Sequence, residues 1–266
     1  MRFIHDQQFL REQYQSQSNL EARIQLHLQS SINKMGWYPW LFEQIKAPAE
    51  ARVLELGCGS GRFWSSMIDQ IPSGWQITLS DFSPGMLADA ERNLAAFQRP
   101  FRFEQIDAQA IPYEDASFDL VIANHMLYHV PDRPKAISEI RRVLKPDGRL
   151  YAATNGYNHL REIATLSKES DPDIVTTFDN PEGESFLLEN GADQLAASFG
   201  HVDLHLYPDG LRVTDADVLA DAICSGFIVN LTPERESALR AMLTERIRQE
   251  GVITIRKESG LFEAWG

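Results

Sequence analysis

Three glycines at alternate positions, Gly57, Gly59 and Gly61, constrain this chain more than any other feature. They follow the apolar run Val53-Leu54-Glu55-Leu56 and precede Arg62-Phe63-Trp64, which reads as a buried strand, a tight turn and a helix start. Glycine accepts positive φ and lets a ligand approach the backbone, so the turn predicts a bound group. The unpaired N–H groups at the following helix start favour a carboxylate or phosphate there. A dinucleotide fingerprint, G-x-G-x-x-G, needs glycine at position 62, where this chain has Arg62. That spacing disfavours a nucleotide-dependent oxidoreductase.

Strand and helix patterns alternate after the turn, which predicts parallel strands with right-handed crossovers. Strand patterns occupy 52–56, 76–81, 101–107, 118–123, 149–154, 201–207 and 252–257, with Leu261-Phe262-Glu263 closing the chain. Ser83 before Pro84 is a helix start, followed by Leu87, Ala90 and Leu94 on one face. Further helices are expected at 134–144, 185–199, 214–225 and 233–250. The segment 156–183 has no sustained period. Ahead of the first strand, Ser18-Asn19-Leu20-Glu21 fits a capping box, and Gly36-Trp37-Tyr38-Pro39-Trp40 is expected to break that helix before a short one at 41–45.

A length of 266 residues fits one large α/β domain with insertions. The formal net charge of −13 argues against a nucleic-acid partner, since such proteins show a basic face. Two cysteines, Cys58 and Cys224, supply neither a disulfide framework nor metal-ligand spacing, so no metal is expected. The first residues are too polar for a signal peptide, and no apolar run nears the ~20 residues that span a bilayer. A soluble cytoplasmic protein with no membrane contact is the expectation.

The stretches VLELGCGSG, ITLSDFSPGML, FEQIDAQAIPYEDASFDLVIANHMLYHV and EIRRVLKPDGRLYAATN occur in that order. Together they resemble the class I S-adenosylmethionine-dependent methyltransferases, and within them the bacterial type 11 small-molecule enzymes. The resemblance covers roughly residues 50–155. It implies an α/β, Rossmann-like seven-stranded sheet, mostly parallel with the last strand antiparallel, and S-adenosylmethionine as cofactor. Residues 1–48 read as helical, either a decoration packed on the sheet edge or, as the resemblance implies, an N-terminal helical lid over the cofactor, with a methyltransferase domain over 49–266. Within that domain a substrate cap is expected at 157–183 and a helical insertion at 214–250.

Ligands of open α/β sheets lie beyond the carboxyl ends of the strands. With the resemblance behind it, Asp81 at the end of the second strand is expected to accept ribose hydroxyls. Phe82 and Met86 are placed against the adenine, Asp107 at its amino group and the Ala108 N–H at a ring nitrogen. Asn124 falls beside the sulfonium centre. Glu55 either orients the turn or meets the cofactor's amino group, with Gly57, Gly59 and Gly61 carrying the amino-acid part. Tyr14 and Arg23 are polar residues that a lid can present to the cofactor. For a general base, needed only where the acceptor holds its proton, His159 is the first choice and His129 the second.

The sequence therefore predicts methyl transfer to a small-molecule or short-peptide acceptor, at oxygen ahead of nitrogen or carbon. The rival outside enzymology is a cofactor-binding partner or sensor without turnover.

Overall fold

A computed structural model describes residues 17–179 and 185–266. The chain divides into two units, each drawn from three separate segments. A sheet unit comprises Met35–Tyr157, Phe186–Tyr207 and Ser259–Gly266. A helical unit takes the described residues of Met1–Lys34, Asn158–Ser185 and Pro208–Glu258. The first expected boundary, at residue 48, is thus not where the units divide. Of the two helices in the expected lid, α1 (Gln17–Ser30) falls in the helical unit and α2 (Trp37–Gln44) in the sheet unit. The helix α2 begins at Trp37 and not after Trp40, because Pro39 sits in its first turn, where no helical N–H is needed.

The sheet unit holds β1 (Arg52–Leu56), α3 (Arg62–Met67), β2 (Gln76–Asp81), α4 (Pro84–Leu94) and β3 (Phe101–Gln105). It continues with β4 (Phe118–Asn124), α5 (Arg133–Val143), β5 (Leu144–Asn155), α7 (Gly191–Ala196), β6 (His201–Tyr207) and β9 (Ser259–Trp265). The sheet runs β3-β2-β1-β4-β5-β9-β6, with β9 antiparallel to both its neighbours and the other ladders parallel. Central strands are apolar on both faces, as burial on both sides requires. Leu54, Leu56, Val121 and Phe262 pack with α5 on one face; Val53, Ile77 and Tyr151 pack with α2, α3 and α4 on the other. Ser83 caps α4 as expected, its side chain accepting from Met86 N–H at 3.4 Å.

In the helical unit, α1, α6 (Glu162–Ser170), α8 (Ala216–Cys224) and α9 (Pro233–Glu250) enclose a core of Leu26, Ile163, Leu166, Leu219, Ile223, Leu239 and Leu243. A two-stranded ribbon, β7 (Gly210–Val213) with β8 (Ile253–Arg256), lies in the same unit. Here the sequence expectation needs correcting: 252–257 does not supply the last strand of the large sheet. Its alternating burial suits a half-covered ribbon, whereas Ser259–Trp265 is buried on both faces and closes the sheet as β9. The helix expected over 185–199 shrinks to α7. No helix among the described residues is long and apolar enough to cross a membrane.

One buried carboxylate ties the sheet together. Glu263 on β9 is 1% exposed and accepts from Tyr151 O–H at 2.9 Å and from the Arg149 guanidinium, with His205 Nε2 at 3.3 Å and Lys46 Nζ at 3.8 Å. Burial alone would raise this carboxyl, but the Tyr151 hydrogen bond and the Lys46 and Arg149 charges outweigh it and hold it low. A depressed carboxyl contributes stability above its unfolded value, near 4.3, and loses it as pH falls through the folded value. Glu263→Gln is therefore expected to unfold about 1–2 kcal/mol more easily at pH 7, with the deficit vanishing at low pH. Urea unfolding of both chains across pH would read this; a deficit independent of pH would refute the charge argument.

Candidate active site

All three glycines of the turn adopt left-handed backbone, with φ of 70° at Gly57, 54° at Gly59 and 75° at Gly61. A Cβ at Gly57 would lie 2.7 Å from Met126 Cβ, and one at Gly61 would lie 2.9 Å from Leu94 Cδ1. At Gly59 a Cβ would meet nothing among the described residues within 4 Å. Two glycines are thus demanded by packing as well as by φ, while the middle one faces open space beside the turn.

The turn is fastened to the end of β2. Cys58 N–H donates to Ser80 O at 2.8 Å, and Gly59 N–H donates to Asp81 Oδ2 at 3.0 Å. Asp81 Oδ1 takes Ser83 N–H at 2.8 Å. Burial pushes the Asp81 carboxyl above its usual value, opposed by the N–H groups of Ser83, Gly59 and Phe82. Each carboxylate oxygen has a further lone pair, so Asp81 retains acceptor capacity for hydroxyls. Beside it Phe82 is 56% exposed and Met86 half-buried, an apolar surface at a strand end.

Glu55 lies beneath the turn. Its carboxyl is buried, accepts Trp64 Nε1–H at 2.5 Å, and is pushed up to about 8 by burial, against that hydrogen bond and with the Asp81 charge adding to the rise. Its backbone oxygen accepts Ser80 O–H at 2.7 Å. The side chain of Glu55 thus ties β1 to α3, and its backbone ties β1 to β2. Tyr38, raised by burial, feels Arg62 as a lowering charge and Glu55 as a raising one, which puts all three around the start of α3.

Beyond β3, Asp107 accepts both the backbone N–H of Gln109 at 2.9 Å and its side-chain amide. The Gln109 Oε1 in turn takes Asp132 N–H at 3.1 Å, linking this turn to the start of α5. Ala108 is buried between them in sequence. Gln109 was missed by the sequence reading, although an Asp followed two residues on by a donor is a turn signal.

At the end of β4, Asn124 Oδ1 is buried with no hydrogen-bond partner among the described residues, as is Trp37 Nε1. His125 has φ 55°, a strained value for a non-glycine residue, and its ring lies 5.1 Å from that of Trp37. His129 closes a short 3-10 turn (Leu127–His129), with its ring 4.4 Å from Tyr128.

His159 belongs to the helical unit, where its Nδ1 accepts Glu258 N–H at 3.1 Å. With Nδ1 so engaged, Nε2 is the other polar atom of the ring. Arg23 lies on α1 in the helical unit. Tyr14 lies outside the described residues.

Residues 54–152 match the family described as methyltransferase domain. This segment is a class I S-adenosylmethionine-dependent methyltransferase domain. Curated relatives carry the same stretch. The demethylmenaquinone methyltransferase of Lactobacillus johnsonii is 38% identical over 118 residues, 43% of this chain and 48% of that protein. The malonyl-[acyl-carrier protein] O-methyltransferase of Enterobacter lignolyticus is 31% identical over 156 residues, 58% of this chain and 55% of that protein. The chain spans about half the length of these relatives. Among solved structures, a Haemonchus contortus phosphoethanolamine N-methyltransferase 2 bound to S-adenosylhomocysteine overlays with TM-score 0.58 at 18% identity, covering 97% of this chain and 59% of that one. That likeness speaks for the fold alone. The methyltransferase domain spans β1 to β5, so the glycine turn, Asp81, Asp107 and Asn124 all lie inside it.

Proposed function

We propose that the chain transfers a methyl group from S-adenosylmethionine to a small-molecule acceptor, at oxygen. The observation that carries this is the glycine turn, tied to Asp81 through the Gly59 N–H and open on the Gly59 side. These residues fit the cofactor's parts. The acid at the end of β2 suits ribose hydroxyls, the exposed Phe82 face suits adenine, and the turn ahead of α3 suits an amino-acid carboxylate. The unpartnered Asn124 carbonyl suits a donor at the end of β4. The bound cofactor would supply an activated methyl carbon on sulfur.

What remains for the protein is alignment of the acceptor with the methyl–sulfur axis and exclusion of water. Buried polar atoms on Asn124 and Trp37 are fixed groups of the sort that orient a bound molecule without reorganising. His129, five residues beyond Asn124 on the β4 loop, is the base where the acceptor must lose a proton. The oxygen preference draws on the O-methyltransferase relative.

Calorimetry with S-adenosylhomocysteine, then turnover on a panel of phenols, carboxylates, a malonyl thioester, a demethylated quinol and amines, tests the reading. Binding without any turnover would favour a sensor; methylation confined to amines would overturn the oxygen assignment. With an active acceptor, His159→Ala is expected to alter turnover by less than about tenfold and to keep the acidic limb of the pH–rate profile, because Glu258 N–H already occupies its Nδ1. Loss of that limb would restore His159 as the base.

A further inference from the structure

Among the described residues, the strand β6 is the last in the sheet and pairs on one side only, with β9. His125 N–H donates to Ala153 O at 3.1 Å, so the backbone groups of Ala153 face β4 and those of Ala152 and Thr154 face β9. The alternation then turns Gly260, Phe262 and Ala264 toward β5, and Leu261, Glu263 and Trp265 toward β6. Backbone groups of His201, Asp203 and His205 therefore face β9, and those of Val202, Leu204 and Leu206 point away from the sheet. Edge strands are ordinarily protected by lysine, proline or a bulge. The sequence His201–Tyr207 has neither lysine nor proline, and its ladder with β9 runs without a register shift. It also shows two leucines on one face, Leu204 at 41% and Leu206 at 63% exposure.

We propose that β6 is the seam of a homodimer, with β6 of a second copy adding antiparallel across a two-fold axis at Leu204. A two-fold contact must be self-complementary, and the strand's own charges select the register. An axis at Asp203 would set Asp203 against its own copy, and one at His205 would set imidazole against imidazole. With the axis at Leu204, Asp203 faces His205 of the second copy and His205 faces its Asp203. On the opposite face Leu204 meets Leu204 and Leu206 meets Val202, covering the exposed leucines. The hydrogen-bonded pairs are then those whose backbone groups point outward, so charge, apolar match and backbone direction agree. His205 Nε2 already lies 3.3 Å from Glu263 Oε2, which leaves its second nitrogen for the facing carboxylate. The two sheets would join into one continuous sheet.

Sedimentation velocity of the full chain at tens of micromolar is expected to give twice the chain's mass. Leu204→Lys, which sets two ammonium groups together at the axis, is expected to give the single-chain mass with an unchanged far-ultraviolet spectrum. Leu204→Cys checks the register without adding charge. Residues directly opposite one another in an antiparallel pair bring their Cβ atoms to about 4.5–5.5 Å, so oxidation should link the two copies. Leu206→Cys should not link, because it faces Val202. A wild-type monomer at that concentration, or cross-linking through Leu206→Cys in place of Leu204→Cys, would overturn the proposal.

Discussion

Glu55→Gln is expected to match the wild-type chain in stability near pH 4.5 and to exceed it by a growing margin up to pH 8. The carboxyl is buried and its folded value is pushed up to about 8. Between its unfolded value, near 4.3, and that folded value the unfolded chain has released its proton while the native chain keeps it. Stability from this group is therefore full at low pH and falls by about 1.4 kcal/mol per pH unit as pH rises, because the native state binds the extra proton. Summed over the window, the loss is on the order of 3–5 kcal/mol, a large share of the stability of an ordinary domain. Glutamine keeps an acceptor for Trp64 Nε1–H and has nothing to ionise. Urea midpoints of the two chains across pH would read the effect directly. Parallel curves would mean that Glu55 ionises normally and that water reaches it under the turn.

Asp81→Ala should weaken S-adenosylhomocysteine binding by about 1.5–3 kcal/mol, roughly 10- to 150-fold, for a lost charged hydrogen bond. The same change removes the acceptor of Gly59 N–H and Ser83 N–H, so part of the loss would come from a loosened turn. Asp81→Asn separates the two contributions. Its amide oxygen can still take one of the N–H groups, yet it is a weaker acceptor for hydroxyls. Affinity lost in both variants, with Asp81→Asn as stable as wild type, would place the carboxylate on the ligand. Full affinity in Asp81→Asn would assign Asp81 to the turn alone.

The parts of the site that lie on strand ends were legible in the sequence because they need only local rules. A strand, a glycine turn and a helix start fix where Gly57, Asp81 and Asn124 fall, whatever packs around them. The α4 cap at Ser83 was equally local. What escaped depends on tertiary contact. Trp37 and Tyr38 reach the site region only because α2 packs on the sheet face that holds Phe63, and a proline in its first turn disguised that helix. The hydrogen bond from Glu258 N–H to His159 Nδ1 joins residues 99 apart, so nearness of His159 to β5 in sequence gave no sign of it. The sheet's last strand was misplaced by a few residues because Ile253 and Ile255 alternate so cleanly. Ser259-Gly260 hid the better strand, since glycine is a poor strand former by propensity. Here Gly260 is needed, as a Cβ there would come within 2.8 Å of His205 O.

The position of β9 also governs the order in which the sheet can be completed. It is the last strand in the chain, yet it lies between β5 and β6. Until it arrives, β6 has no neighbour to hydrogen-bond, and β5 has an open side along 150–155. Five strands can zip together from contacts within residues 52–155, whereas the last two must wait for a closure that spans more than a hundred residues, from Asn155 to Ser259. Closing so long a loop precedes any reward from the contacts it makes, which slows that step relative to the first. Refolding should therefore show two phases, with the fluorescence of Trp265 changing in the slower one. Glycine substitutions along β9 should retard that phase and spare the faster one.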